Sequence, residues 1–170
     1  MFGLFLKKKL FLSLFILIAS SLYFSVDSVA AESKSNLVKV VYHADFADPR
    51  RFSAMLTSIN NMATYYENEL QEYDIRIVFV AHGIRFLTDD KLLKTPFAED
   101  ADMAERRESN KGRLLSLNDV MSVKLELCDI TRSQIGLDKS KLYEATESVP
   151  SGVVRLAELQ HQGFAYIKIE

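Results

Sequence analysis

The chain has 170 residues, 48% hydrophobic and 26% charged, with a formal charge of −2, the profile of one globular domain of ordinary composition. Beyond residue 31 there remain 18 basic against 22 acidic residues, a formal charge of −4, which argues against nucleic-acid binding. A single cysteine excludes an intramolecular disulfide, so that thiol is buried, reactive or paired between chains.

Lys7, Lys8 and Lys9 precede an uncharged apolar run from Leu10 to Val26, and Val29, Ala30 and Ala31 then supply small residues. This is the n-region, h-region and cleavage-site pattern of a secretory signal. The run is long for an h-region, so an uncleaved anchor holding the domain outside the membrane is the competing reading. Both readings export the domain, to a periplasmic or otherwise exported location, with membrane contact only through residues 1–31. Residues 32–36, with Ser33, Lys34 and Ser35, read as a short polar linker, and residues 37–170 as the folded domain.

Leu37 to His43 reads as a first strand, its β-branched and aromatic residues typical of a strand covered on both faces. Asp45, Asp48 and Pro49 are turn and helix-start signals. From Arg50 to Leu70, Phe52, Met55, Leu56, Ile59, Met62, Ala63 and Tyr66 recur at spacings of three and four, predicting a helix with one core-facing stripe. Asp74 to Ala81 predicts a second buried strand, closed by His82-Gly83, where glycine lets the backbone turn or approach a bound group. Ile84, Phe86 and Leu87 lead into a polar segment.

About Ala98 to Asp119 reads as a charged helix whose Glu105, Arg106, Arg107 and Glu108 form a solvated face, with Gly112 weakening its middle by roughly 1 kcal/mol. Leu114, Leu115, Leu117 and Val120 restore an apolar stripe. Val123, Leu125 and Leu127 then alternate with Lys124 and Glu126, a strand with one well-buried face that ends on Cys128. Asp129, Thr131 and Ser133 are caps for a short helix beginning around Thr131. Asp138 to Thr146 is a charged connection, and Ser148 to Pro150 supplies only a very short strand. Ser151-Gly152 opens a last helix that His161, Gln162 and Gly163 end, and Phe164 to Ile169 is a final strand. Strands alternating with helices predict a parallel sheet covered on both faces.

Cys128, His43 and His82 all fall at predicted carboxyl ends of strands, the edge where open α/β sheets gather ligands. A thiol near a helix amino terminus is pushed toward thiolate, and a Cys-His pair suits nucleophilic or sulfur-transfer chemistry. The alternative is a small buried hydrophobe at a strand end, with each histidine structural or solvent-exposed. His161 reads as a favourable charge at a helix carboxyl end. There is no CxxC, HExxH, GxGxxG or G-x-S-x-G pattern, so no metal and no cofactor are expected.

The runs VVYHADFADPRRFSAMLTSINNM, VFVAHGIRFL, VKLELCDITRSQIGL and SVPSGVVRLAELQHQGFAYIKI, in this order, resemble the DsrE/DsrF-like proteins from Val38 to Ile169. The resemblance implies a single three-layer α/β/α domain with a parallel five-stranded sheet, assembly into a homo-oligomer (trimer or hexamer), and a sulfur relay through a cysteine persulfide. It puts Cys128 at the persulfide-bearing, catalytic position, with His82, Gly83 and His43 as candidate substrate-positioning residues. The relay members are cytoplasmic whereas this chain begins with an export signal, so its sulfur donor and acceptor are unknown.

Two functions follow. One is a periplasmic sulfur carrier or sulfurtransferase-like protein in which Cys128 accepts and relays sulfane sulfur. The other is a non-catalytic small-molecule or protein binding and assembly module with a structural Cys128. Thiol-disulfide exchange is disfavoured because the chain holds no resolving cysteine. The relay reading expects Cys128 partly exposed at the sheet edge, and Ile84, Phe86 and Leu87 are candidate oligomer contacts.

Overall fold

Five short strands run parallel in the order β4-β3-β2-β1-β5 in the computed structural model, which describes residues 37–170. The expected signal or anchor over 1–31 and the linker over 32–36 lie outside the described residues. In chain order the elements are β1 (Val38–Ala44), α1 (Pro49–Asn68), β2 (Tyr73–Phe79), a 3-10 turn (Ala81–Leu87), α2 (Ala101–Met121), β3 (Lys124–Cys128), α3 (Asp129–Gln134), β4 (Thr146–Val149), α4 (Gly152–His161) and β5 (Ala165–Ile167). This is the expected three-layer α/β/α domain with a parallel five-stranded sheet.

The two faces of the sheet differ. Val40, Tyr42, Ile75, Ile77, Leu125 and Leu127 face α1 and α2 and join the large core with Phe52, Met55 and Leu114. Val41 and Val78 face the other way and pack with Leu156, Leu159 and Phe164 around α4, with Val80 partly buried against them. Because side chains alternate along a strand, each central strand feeds both layers.

Local chemistry sets the helix starts. The Asp48 carboxylate accepts from the N–H of Arg50 and Arg51, with Pro49 in the first turn of α1. Asp100 does the same for α2 by accepting from Met103 N–H at 2.8 Å. The charged face of α2 is less solvated than its composition suggests, since Arg107 pairs with Glu99 at 2.8 Å and is largely covered. Val120, expected in the apolar stripe, is 72% exposed.

The segment after β2 departs most from expectation. Ala81, at φ +48°, turns the chain into the 3-10 segment, which folds back over the sheet edge. Ile84, Phe86 and Leu87 are thereby 0%, 3% and 0% exposed, and the Phe86 ring stacks on Phe52 with centroids 3.9 Å apart. They belong to the domain core and are not available as oligomer contacts. Gly83 is required for this fold-back, because a Cβ there would lie 2.1 Å from the Ala44 carbonyl oxygen.

Candidate functional site

Cys128 is the last residue of β3 and caps the start of α3, which begins at Asp129 rather than near Thr131. It aligns with Val149 on β4, and β4 leads directly through Pro150 and Ser151 into α4. The short β4 therefore delivers the start of α4 to Cys128. Ser151 caps α4 by accepting from Val154 N–H, leaving Gly152 as the first helical residue.

Gly152 approaches so closely that a Cβ on it would lie 2.6 Å from Val80 Cγ2 and 3.0 Å from Cys128 Cβ. Only glycine fits between strand and helix without displacing one of them. The backbone N–H groups of Gly152, Thr131 and Ile130 and the Thr131 hydroxyl are the polar groups that favour the charged form of the Cys128 thiol. That hydroxyl accepts from Ala81 N–H at 3.1 Å.

Burial opposes ionisation of the thiol, but the hydrogen bonds from Gly152, Thr131 and Ile130 outweigh it and hold the thiol below its ordinary pKa. Cys128 is 4% exposed, not partly exposed as expected. The cause is the same close approach of α4 that supplies the Gly152 amide. Ile130, Val153 and Val154 stand exposed on the first turns of α3 and α4. A groove of 270 Å³ lined by Val149, Pro150, Ser151, Val154, Arg155 and Glu158 runs beside the start of α4.

The predicted site residues do not all converge. His43 lies on β1, separated from β3 by β2, and its Nδ1 is 2.8 Å from the Tyr166 hydroxyl on β5. Its Nε2 is 3.9 Å from Asp45, which Lys168 binds at 3.0 Å. Burial lowers the His43 pKa, Asp45 partly offsets this, and Lys168 and Arg51 add to the lowering. His82 follows β2, the neighbour of β3, and sits edge-on to Phe97 with centroids 5.1 Å apart. Gly83 serves the contact with Ala44 described above. The groups that lower the Cys128 pKa are amides and a hydroxyl, with no imidazole among them.

Gly152 and the Glu126, Arg76 and Arg155 cluster beneath α4 were not among the predicted site residues. Glu126 is wholly buried and Arg155 binds it with two nitrogens. The only sequence signal for Gly152 is a Ser-Gly helix start directly after a very short strand. Among the described residues there is no group of three or more His, Cys, Asp or Glu that could hold a metal ion, and no helix is long and apolar enough to cross a membrane.

An uncharacterised protein of Aquifex aeolicus (strain VF5) is 27% identical over 133 residues, 76% of this chain. The chain spans about half, 55%, of the length of that curated relative. Among solved structures, the protein of unknown function MTH1491 from Methanobacterium thermoautotrophicum has the same fold, with a TM-score of 0.58 and 24% identity over 77% of this chain and 98% of its own. The ychN protein from E. coli matches over 77% of this chain and 98% of its own, at 17% identity and a TM-score of 0.49. The profile of the DsrE/DsrF-like family matches residues 30–169, nearly the whole of the described domain and more, and the chain belongs to that family.

Proposed function

We propose that this protein handles sulfur in the periplasm, with Cys128 accepting sulfane sulfur as a persulfide and relaying it to a thiol. Family membership supports a sulfur-related role. The observation that carries the finer reading is the packing of two helix amino ends on one thiol: Cys128 directly precedes α3 and lies against Gly152 at the start of α4, which surrounds the sulfur with backbone N–H groups. Such donors favour the thiolate, which is both the nucleophile and the better leaving group.

In the first step the Cys128 thiolate attacks the outer sulfur of a donor persulfide or polysulfide. A new S–S bond forms, the donor's S–S bond breaks, and the donor leaves as a thiolate. In the second step an acceptor thiolate attacks that outer sulfur and Cys128 departs as thiolate. Neither step needs an external oxidant or reductant. His82 is the better placed histidine for positioning substrate, because β2 borders β3 while His43 is two strands away and engaged with Tyr166.

Intact mass after incubation with polysulfide tests the proposal. The wild type should gain the mass of one sulfur atom, Cys128→Ser should gain none, and His82→Ala should gain it more slowly. Sulfur loading that persists in Cys128→Ser overturns the persulfide.

The 4% exposure of Cys128 favours a second reading, a binding or assembly module in which the cysteine is packed. Under that reading the folded protein resists both iodoacetamide and polysulfide. The location rests on Lys7 to Lys9, the apolar run and Val29 to Ala31. Amino-terminal sequencing of the mature protein should give a start just after Ala30 or Ala31. Met1 recovered in a membrane fraction would make the segment an anchor, and uncleaved protein in the cytosol would remove export altogether.

A further inference from the structure

Glu126 stands two residues before Cys128 on β3, on the side that faces α4. It is wholly buried. Its Oε2 accepts from Arg155 Nε at 2.7 Å, and its Oε1 accepts from Arg155 Nη2 at 2.8 Å and Arg76 Nη1 at 2.9 Å. Arg76 is held independently by Asp74, through Nε at 2.9 Å and Nη2 at 2.6 Å. On α4, Arg155 lies about one turn beyond Gly152, and its N–H closes the first helical bond to the Ser151 carbonyl at 2.9 Å.

A two-pronged guanidinium-carboxylate contact constrains direction as well as distance. The apolar contacts of α4 with the sheet, from Leu156 and Leu159 to Val41 and Val78, are non-directional and tolerate rotation of the helix. A buried ion pair is also a weak source of net stability compared with apolar side chains of similar volume. Burying a full charge here is better explained by what it orients. Among the charged groups on the surrounding elements, Arg76 pairs with Asp74 on β2, Arg155 with Glu126 and Glu158, and Arg132 with Asp129 on α3, while Glu147 on β4, the register neighbour of Glu126, is exposed to solvent. The double substitution of the pair leaves Glu147 in place, so the position of the α4 amino end is the variable it changes.

We propose that the Glu126–Arg155 ion pair is a positioning clamp, fixing the rotation and slide of α4 on β3 so that the amino end of α4, at Gly152, is held against Cys128. Both are positioning residues, and the clamp matters to function on the reading of Cys128 as the sulfur-accepting thiolate.

The test compares wild type, Glu126→Leu combined with Arg155→Met, and Arg155→Lys, measuring the pH midpoint of Cys128 alkylation by iodoacetamide with circular dichroism as the check of folding. The double variant removes both charges and leaves Arg76 on Asp74. Its midpoint should rise by about one pH unit, with alkylation at neutral pH about tenfold slower. Arg155→Lys keeps the cation and loses the fork, and its midpoint should fall between the other two. A wild-type midpoint in the folded double variant overturns the clamp. If the double variant does not fold, Arg155→Lys decides: a raised midpoint supports the clamp, and a wild-type midpoint overturns it. Polysulfide loading of the wild type, measured alongside, separates the two ideas. No sulfur gain with a shifting midpoint removes the relay and leaves the clamp, while sulfur gain with a fixed midpoint does the reverse.

Discussion

Gly152, the first residue of α4, packs directly on Cys128, the last residue of β3, so closely that a Cβ on the glycine would lie 3.0 Å from the Cys128 Cβ. The contact exists because no side chain intervenes. In Gly152→Ala the new methyl would meet Val80 Cγ2 at 2.6 Å and Cys128 Cβ at 3.0 Å, so the start of α4 must lift. Overpacking of this kind costs about 1–3 kcal/mol. Urea denaturation should show that loss, and the pH midpoint of Cys128 alkylation should rise. An unchanged midpoint would mean that the Gly152 amide does not act on the thiol.

The lowered thiol pKa couples stability to pH. Between the folded pKa and the ordinary value of 9.0 the unfolded chain binds more protons than the folded one, so stability rises with pH across that window. The contribution is complete above the ordinary value and is lost as pH falls through the folded pKa. The stability of wild type relative to Cys128→Ser should therefore grow from neutral pH to about pH 9 and then level off. Tyr42 and Tyr73, pushed up to about 12 by burial, titrate above this range. A difference that stays flat from neutral pH upward would remove the stabilised thiolate.

The Thr131 hydroxyl accepts from Ala81 N–H and is among the polar groups that lower the Cys128 pKa. Thr131→Val keeps the shape and loses the hydroxyl. It should cost about 1–3 kcal/mol through the unpaired Ala81 amide and raise the alkylation midpoint, whereas Thr131→Ser should remain close to wild type on both. Equal behaviour of the valine and serine variants would show that the hydroxyl contributes only packing.

Assembly into a trimer or hexamer remains the expectation from the family resemblance, but the face after β2 does not supply its contact. Phe86 is buried against Phe52, so Phe86→Ala should destabilise the domain by about 3–5 kcal/mol. Urea melts report that loss, and light scattering below the transition should give the wild-type mass. A monomer mass for wild type at micromolar concentration would remove the oligomer, and dissociation in Phe86→Ala without loss of stability would return Phe86 to an interface.

The layers were legible where one residue's environment follows from its neighbours in sequence. Of the predicted stripe in α1, Phe52, Met55, Leu56, Ile59 and Ala63 are wholly buried while Met62 and Tyr66 are half-buried, and Leu125 and Leu127 face the core as alternation predicts. Glu126 was not legible, because alternation reads a charge between leucines as solvent-facing, and its partner Arg155 belongs to another element. The 3-10 turn was hidden for a related reason. Ile84, Phe86 and Leu87 follow a glycine in a run too short to tell a period of two from one near four, so nothing local states that they fold inward. Cys128 was found at its strand end, but its donor Gly152 depends on β4 lying beside β3, and strand order is not written in spacing.

The unequal layers have a dynamic consequence. One face of the sheet is sealed by two long helices over a large apolar core, while the other carries α4 on a handful of apolar contacts and one ion-pair cluster. Segments with few buried apolar contacts open at lower free energy than the whole domain. The thiol is thus guarded by the most easily detached layer. The expected outcome of native-state hydrogen exchange is that the amides of α4 exchange faster than those of α1 and α2.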